Sequence, residues 1–183
     1  ILNGTNNAYS DTVIKQGSLV VNGSIFYSDC VIKDGALRGT GDWNAAALYV
    51  ESGGTIAPGA SVGTLTFDEV NLAPGSIFEW DVDAGNTAAD TLVSRERLNL
   101  PDAPNSVTVK VVQVGAASAG TYPLFAFTML TGDTNALVID TSGSGYGQPS
   151  LAVTGQGISV GMVPEPAMLL GALLGLWAVC RRG

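Results

Sequence analysis

Four segments of the chain share one short pattern, and their regular spacing restricts the fold more than any other feature. Each segment runs from an apolar residue through mostly polar residues to a glycine, a small residue and a second apolar residue. The aligned glycines are Gly17, Gly35, Gly54 and Gly75, at intervals of 18, 19 and 21 residues. A period of about 20 residues predicts a solenoid, in which each repeat buries its apolar face against its neighbours.

The segments between these glycines are typical of short β-strands. Glycine is frequent, with 24 residues, and only 13% of residues are charged, which favours an all-β chain. Residues 76–82 alternate, so that Phe78, Trp80 and Val82 share one face of a strand. We therefore predict a right-handed parallel β-helix, or β-solenoid, with Trp80 in its core. The expected core row consists of Leu19, Leu37, Ile56 and Ile77.

The sequence predicts three parts. Residues 1–83 form the β-solenoid repeats, residues 84–160 add β-structure that caps the open end, and residues 161–183 form a separate C-terminal segment. Within the second part, Pro123 indicates an edge strand, because proline cannot donate to a sheet. Within the first, we expect a positive φ at Gly35, which would make a Gly35→Val substitution unfavourable.

The C-terminal segment combines a proline motif, an apolar run and a basic end. Val163, Pro164, Glu165 and Pro166 precede residues 167–180, which carry no charge and include many good helix formers. As a helix this run spans about 21 Å, less than the roughly 30 Å of a bilayer core. A buried core helix is the alternative, but the terminal position and the stop at Arg181 and Arg182 favour a membrane-targeting segment.

This order of motif, short apolar helix and arginine pair resembles the PEP-CTERM sorting signal of Gram-negative bacteria. The resemblance covers about the last twenty residues. It implies export, transient anchoring in the inner membrane through the C-terminal helix, and processing by an exosortase, followed by delivery to the cell surface or medium. It implies no molecular activity.

The repeats resemble autotransporter-associated β-strand repeats. The residues that carry this resemblance are Val21-Asn22-Gly23, Leu37-Arg38-Gly39-Thr40-Gly41 and the segment 56–67. The resemblance implies a β-solenoid on an exported surface protein.

The charge and the composition of the chain limit the classes of partner and the chemistry that we expect of it. The formal net charge is −8, from 16 acidic and 8 basic residues, which argues against nucleic-acid binding. There is no histidine, and the two cysteines, Cys30 and Cys180, form no disulfide framework. The chain starts at Ile1 without a signal-peptide pattern, so we expect it to be a fragment that lacks its N-terminus.

Acidic residues offer two weak candidate sites. Asp81, Asp83 and Asp90 resemble part of a calcium loop, but Leu92 stands where the bidentate acid is needed. Glu79, Asp81 and Asp83 lie at the spacing of carboxylates in an inverting glycosidase. A solvated acidic strand face explains both patterns, and we predict no metal and no cofactor. We expect no arginine of the body to lie beside these acids.

Aromatic residues supply candidate glycan contacts. Trp43 lies in the polar segment 41–44 and is predicted to be exposed, and Tyr49 is the second candidate. We therefore expect an exported, non-enzymatic surface or matrix protein associated with exopolysaccharide and biofilm. The alternative is a polysaccharide lyase or glycoside hydrolase on the same scaffold, which a cleft containing both acids and a basic residue would favour.

Overall fold

The chain is an all-β protein in a computed structural model that describes residues 1–7 and 10–165. The described residues form the following strands and one short 3-10 helix, Thr134–Ala136. The strands are β1 (Thr5–Asn7), β2 (Thr12–Ile14), β3 (Ser18–Val20), β4 (Ser24–Phe26), β5 (Cys30–Ile32), β6 (Ala36–Gly39), β7 (Asp42–Asn44), β8 (Ala47–Val50), β9 (Thr55–Pro58), β10 (Thr64–Leu72), β11 (Ile77–Asp83), β12 (Ala88–Ala89), β13 (Thr91–Asn99), β14 (Val107–Val114), β15 (Gly120–Thr131), β16 (Leu137–Asp140), β17 (Ser150–Thr154) and β18 (Gly157–Met162).

The strands form two sheets between which the chain alternates. Each early strand pairs in parallel with the strand three places along: β1 with β4, β2 with β5, and β3 with β6. The 11-stranded sheet collects the first two strands of every repeat, and the 7-stranded sheet collects the third. From β10 onward the first two strands join into one long strand, because β10 pairs with both β7 and β8. A break in register between Phe67 and Glu69 marks the junction.

The register of the 7-stranded sheet confirms most of the predicted core row. Leu19 pairs with Leu37, and Leu37 with Ile56. The fourth member was wrong, because Phe78 and not Ile77 pairs with Ile56. Gly54 O accepts a hydrogen bond from the backbone N–H of Ile77, so the register position of the earlier glycines belongs to Ser76 in the fourth repeat. The fourth glycine, Gly75, therefore lies one residue out of register.

The expected positive φ at Gly35 was also wrong. Its φ lies outside the left-handed region, unlike that of Gly17, which is +76°. A Cβ atom at Gly35 would instead lie 2.7 Å from Cγ2 of Ile14 and 2.9 Å from the Gly17 carbonyl oxygen. Close approach of neighbouring repeats excludes a side chain here.

The parallel pairing continues past the boundary predicted at residue 83. β13 pairs in parallel with β10, and β14 with β11. Chain direction reverses at β12, which pairs antiparallel with β11, and again at β18, which pairs antiparallel with β15 and with β17. β15 as a whole is not an edge strand, because it lies between β13 and β18. Pro123 itself pairs only with Ser159 of β18, since the pairs with β13 begin at Phe125. The missing N–H of Pro123 leaves no gap in the pairing with β13.

The first residues of the predicted sorting motif are hydrogen-bonded to the rest of the described chain. Gly147 donates its backbone N–H to Val163 O at 2.9 Å, and Glu165 donates to Gly145 O at 2.9 Å. Pro164 forms an isolated bridge with buried Tyr146. The predicted helix at 167–180, together with Pro166, Arg181 and Arg182, lies outside the described residues. Within the described part of the chain, no helix has the length and apolar character to span a bilayer.

Candidate functional site

An open groove of about 410 Å³ lies on the outer surface of the 11-stranded sheet. Its lining comes from four adjacent strands and the residues that follow three of them: Val31 on β5, Tyr49 and Glu51 on the β8 side, Asn71 and Ala73 on the β10 side, and Asn99 and Pro101 on the β13 side. Because β10 lies between β8 and β13, Asn71 and Ala73 form the floor. The aromatic ring of Tyr49 and the ring of Pro101 belong to opposite walls.

Strand alternation places the polar members of this groove in one outward row. Tyr49 pairs with Asn71, and Asn71 with Asn99. Each is flanked by two buried apolar residues, which anchor it from the core side. Tyr49 is 41% exposed. The sequence predicted Tyr49 as a candidate contact but missed both asparagines.

Hydrogen bonds fix the asparagine amides. Asn99 Nδ2 donates to Asn71 Oδ1 and to Glu69 Oε1, both at 2.7 Å. Asn99 Oδ1 accepts a hydrogen bond from Thr131 Oγ1. Asn71 Nδ2 donates to Leu48 O at 3.4 Å. The floor of the groove therefore carries an ordered amide rather than a freely rotating one.

The hydroxyl of Tyr49 is held in its neutral form. Burial raises its pKa above the ordinary value of 10, and the charges of Asp29, Glu69 and Asp11 raise it further. At neutral pH this group is therefore a hydrogen-bond donor as well as an acceptor.

Trp43, the other predicted glycan contact, is not part of this surface. Its side chain is fully buried, with 0% exposure, so the prediction that it is exposed was wrong. It stacks on Phe67, with ring centroids 5.2 Å apart and an interplanar angle of 22°. Its neighbours Asp42 and Asn44 take the outward positions of β7, which leaves Trp43 the inward one. Trp80 is fully buried, as predicted.

The acids that resembled a calcium loop have structural roles. Asp83 Oδ1 accepts the backbone N–H groups of Gly85 and Asn86, which closes the turn between β11 and β12. Asp90, which is buried, accepts N–H bonds from Gly63 at 2.7 Å and from Asp81 at 3.0 Å. Across the described ranges, no three His, Cys, Asp or Glu side chains come together in a metal-binding arrangement.

Asp90 should make the stability of the fold depend on pH. Burial raises the pKa of this carboxyl from 3.8 to about 7, although the two N–H bonds oppose the shift. The folded state therefore binds the proton more tightly than the unfolded state. The stabilisation from this group is complete below about pH 4 and is lost as the pH rises through about 7.

We expect the stability of Asp90→Asn relative to wild type to increase as the pH rises from about 4 to about 7. The difference in the free energy of unfolding should change by up to about 1.4 kcal/mol per pH unit. Urea denaturation of both proteins at several pH values measures this slope, which does not depend on any fixed cost of the amide. A difference that stays constant from about pH 4 to about pH 7 would contradict the assignment.

Basic residues do lie beside the acids, contrary to the expectation from the sequence. Arg38 Nη2 is 2.7 Å from Glu79 Oε2, and Lys110 Nζ is 3.7 Å from Glu79 Oε1. Arg38 also lines a small cavity of about 150 Å³ together with Asp81 and Asp90. This volume is below the roughly 300–1,000 Å³ of typical ligand pockets. The guanidinium of Arg38 is paired with the carboxylate of Glu79. The carboxyl group of Asp90 accepts hydrogen bonds from two backbone N–H groups.

No family model matches this chain, and no curated protein matches its sequence significantly. The function is therefore inferred from the residues of the chain itself.

Proposed function

We propose that this chain is an exported, non-enzymatic surface or matrix protein that associates with exopolysaccharide. The observation that carries the proposal is the groove at Tyr49, where an exposed aromatic ring stands beside ordered amide groups. Aromatic faces with a few convergent hydrogen-bonding groups suit sugar rings, which present both C–H faces and hydroxyls.

The proposed scaffold is a right-handed parallel β-helix. Its support is the regular parallel pairing of each early strand with the strand three places along. Stacked repeats of this kind provide long outer surfaces built from rows of side chains, which suits contact with an extended polymer.

The proposed route to the cell surface uses the C-terminal tail. Val163, Pro164, Glu165 and Pro166 form the sorting motif, and Arg181 and Arg182 end the apolar anchor. In this proposal the anchor holds the chain in the inner membrane only until an exosortase cleaves near the motif. The reach of about 21 Å suits a transient anchor better than a permanent span.

Removal of residues 166–183 should leave the body folded but change its cellular location. Truncation after Glu165 is the appropriate test, because Val163 and Glu165 both bond to the loop at residues 145–147. Fractionation of exporting cells that express the chain with or without residues 166–183 measures location, and mass spectrometry identifies the mature C-terminus. An intact Arg181-Arg182-Gly183 end on surface-released protein would rule out cleavage.

The alternative function is a carbohydrate-active enzyme, and the observation that favours it is the meeting of Arg38 with Asp81 and Asp90. The two functions differ in what happens to the polymer. We expect the purified protein to co-sediment with insoluble polysaccharide without releasing reducing sugar. Release that disappears in Asp90→Asn would support the enzyme instead.

A further inference from the structure

We infer that Tyr49 and Asn71 form a subsite for one ring of a neutral saccharide, with Tyr49 as the stacking wall and Asn71 as the hydrogen-bonding floor. This inference rests on the proposed association with polysaccharide and adds the residues and the chemical class of the ligand.

The dimensions of the groove fit a single ring. Its two walls belong to strands separated by one intervening strand, so the wall strands lie about 9–10 Å apart. Between them lie Asn71 and Leu72 of β10 and the following Ala73; Asn71 has a smaller side chain than its neighbour Tyr49, and Ala73 has a smaller one than Pro101. A ring lying in this depression contacts Tyr49 with its C–H face and Asn71 with its hydroxyls.

Asn71 has hydrogen-bonding capacity left for a ligand. Its side chain offers two N–H donors and two lone pairs on the oxygen. Within the described structure, Oδ1 accepts one hydrogen bond, from Asn99, and Nδ2 makes one long bond, to Leu48 O. One donor and one acceptor remain on the same amide, which matches a pair of adjacent sugar hydroxyls, since each hydroxyl both donates and accepts.

The charges around the groove select against acidic sugars. Glu51 lines the groove, and Glu69 bonds to Asn99 beside it. Lys33 lies 3.3 Å from Glu51 and partly offsets that charge. The net charge of the chain is −8. A polyanion such as a uronic-acid polymer would meet repulsion at this site, whereas a neutral polymer would not.

The test is a binding titration of the 183-residue chain with defined tetrasaccharides. Neutral probes are the β-1,4-linked tetramers of glucose and of N-acetylglucosamine, and the acidic probe is tetragalacturonate. We expect a neutral probe to bind and the acidic one to bind at least about tenfold more weakly. Tyr49→Ala and Asn71→Ala should each weaken the neutral complex by about tenfold, whereas Tyr49→Phe keeps the ring and should retain most of the affinity.

Tyr27→Ala is the matched control, because Tyr27 is 61% exposed and lies outside the groove. Circular dichroism of each variant checks that the fold is retained.

Unchanged affinity in both groove variants, absence of binding by every neutral probe, or equal affinity for tetragalacturonate would overturn the inference. If the protein still co-sediments with polysaccharide while the groove variants bind normally, the inference fails and the proposed function stands. Binding of a neutral probe at the groove without any association with cellular matrix would support the subsite and overturn the proposed function.

Discussion

Replacement of Trp43 with alanine should lower the free energy of unfolding by about 3–5 kcal/mol, the range for a large aromatic residue removed from a core. The side chain is fully buried and stacks on Phe67 between the two sheets. If Trp43 were a surface contact for glycans, the same substitution would change the stability by no more than about 0.5 kcal/mol. Urea denaturation monitored by circular dichroism distinguishes these two results.

A comparison of Trp43→Phe with Trp80→Phe controls for the loss of ring volume. Trp43 Nε1 has no hydrogen-bond partner among the described residues, so phenylalanine removes a buried donor that makes no bond. Trp80 Nε1 donates to the carbonyl oxygens of Asp90 and Pro123, at 2.9 and 3.0 Å. We expect Trp80→Phe to cost about 1–3 kcal/mol more than Trp43→Phe. Equal losses would mean that the bonds of Trp80 contribute nothing to stability.

Gly39→Ala is expected to have a comparably large effect, because two separate costs act at this position. Its φ is +101°, a conformation that disfavours any residue with a Cβ atom by about 1–2 kcal/mol. The new Cβ would also collide with the Val21 carbonyl oxygen and lie 2.7 Å from Asn22 Oδ1 in the preceding repeat. Forcing these apart adds about 1–3 kcal/mol.

Gly115→Ala separates the two costs. Gly115 has a φ of +73°, and a Cβ there would meet nothing within 4 Å. Thermal and urea melts of the two variants should show a clearly smaller loss for Gly115→Ala than for Gly39→Ala. Similar losses would show that backbone conformation alone matters and that the contact between repeats does not.

The sequence predicted the strand register correctly where the glycine and the apolar residue of a repeat occupied the same register positions as in the repeat before it. This held for Leu19, Leu37 and Ile56 and failed at Ile77, because Ser76 takes the register position of the glycine. The later repeats were not recognised, since two short strands join into one in β10, β13 and β15 and the sequence intervals lengthen. The parallel pairing of strands continues through these later repeats, although the sequence no longer shows the period of about 20 residues.

The candidate site was predictable only in part. Trp43 was assigned to the surface because its neighbours are polar, yet alternation sends Asp42 and Asn44 outward and Trp43 inward. A signal for the missed asparagines was present: Tyr49, Asn71 and Asn99 each lie between two apolar residues that are buried. Recognising it required the register of β8, β10 and β13, which depends on long-range pairing. The mixed charges near Arg38 were missed for the same reason, since Glu79 lies two repeats along the chain.

The reversal of chain direction at β18 determines how a protein of this architecture can change its length during evolution. A parallel strand such as β6 receives evenly spaced, slanted hydrogen bonds on one edge and offers the same pattern on the other. The strands of a duplicated repeat inserted between two such neighbours can therefore form parallel pairs on both sides. A repeat placed after β18 would find no free edge on that strand, because β15 occupies one edge and β17 the other, both in antiparallel pairs. Gene duplication can thus lengthen the molecule from within while its closing hairpin stays the same.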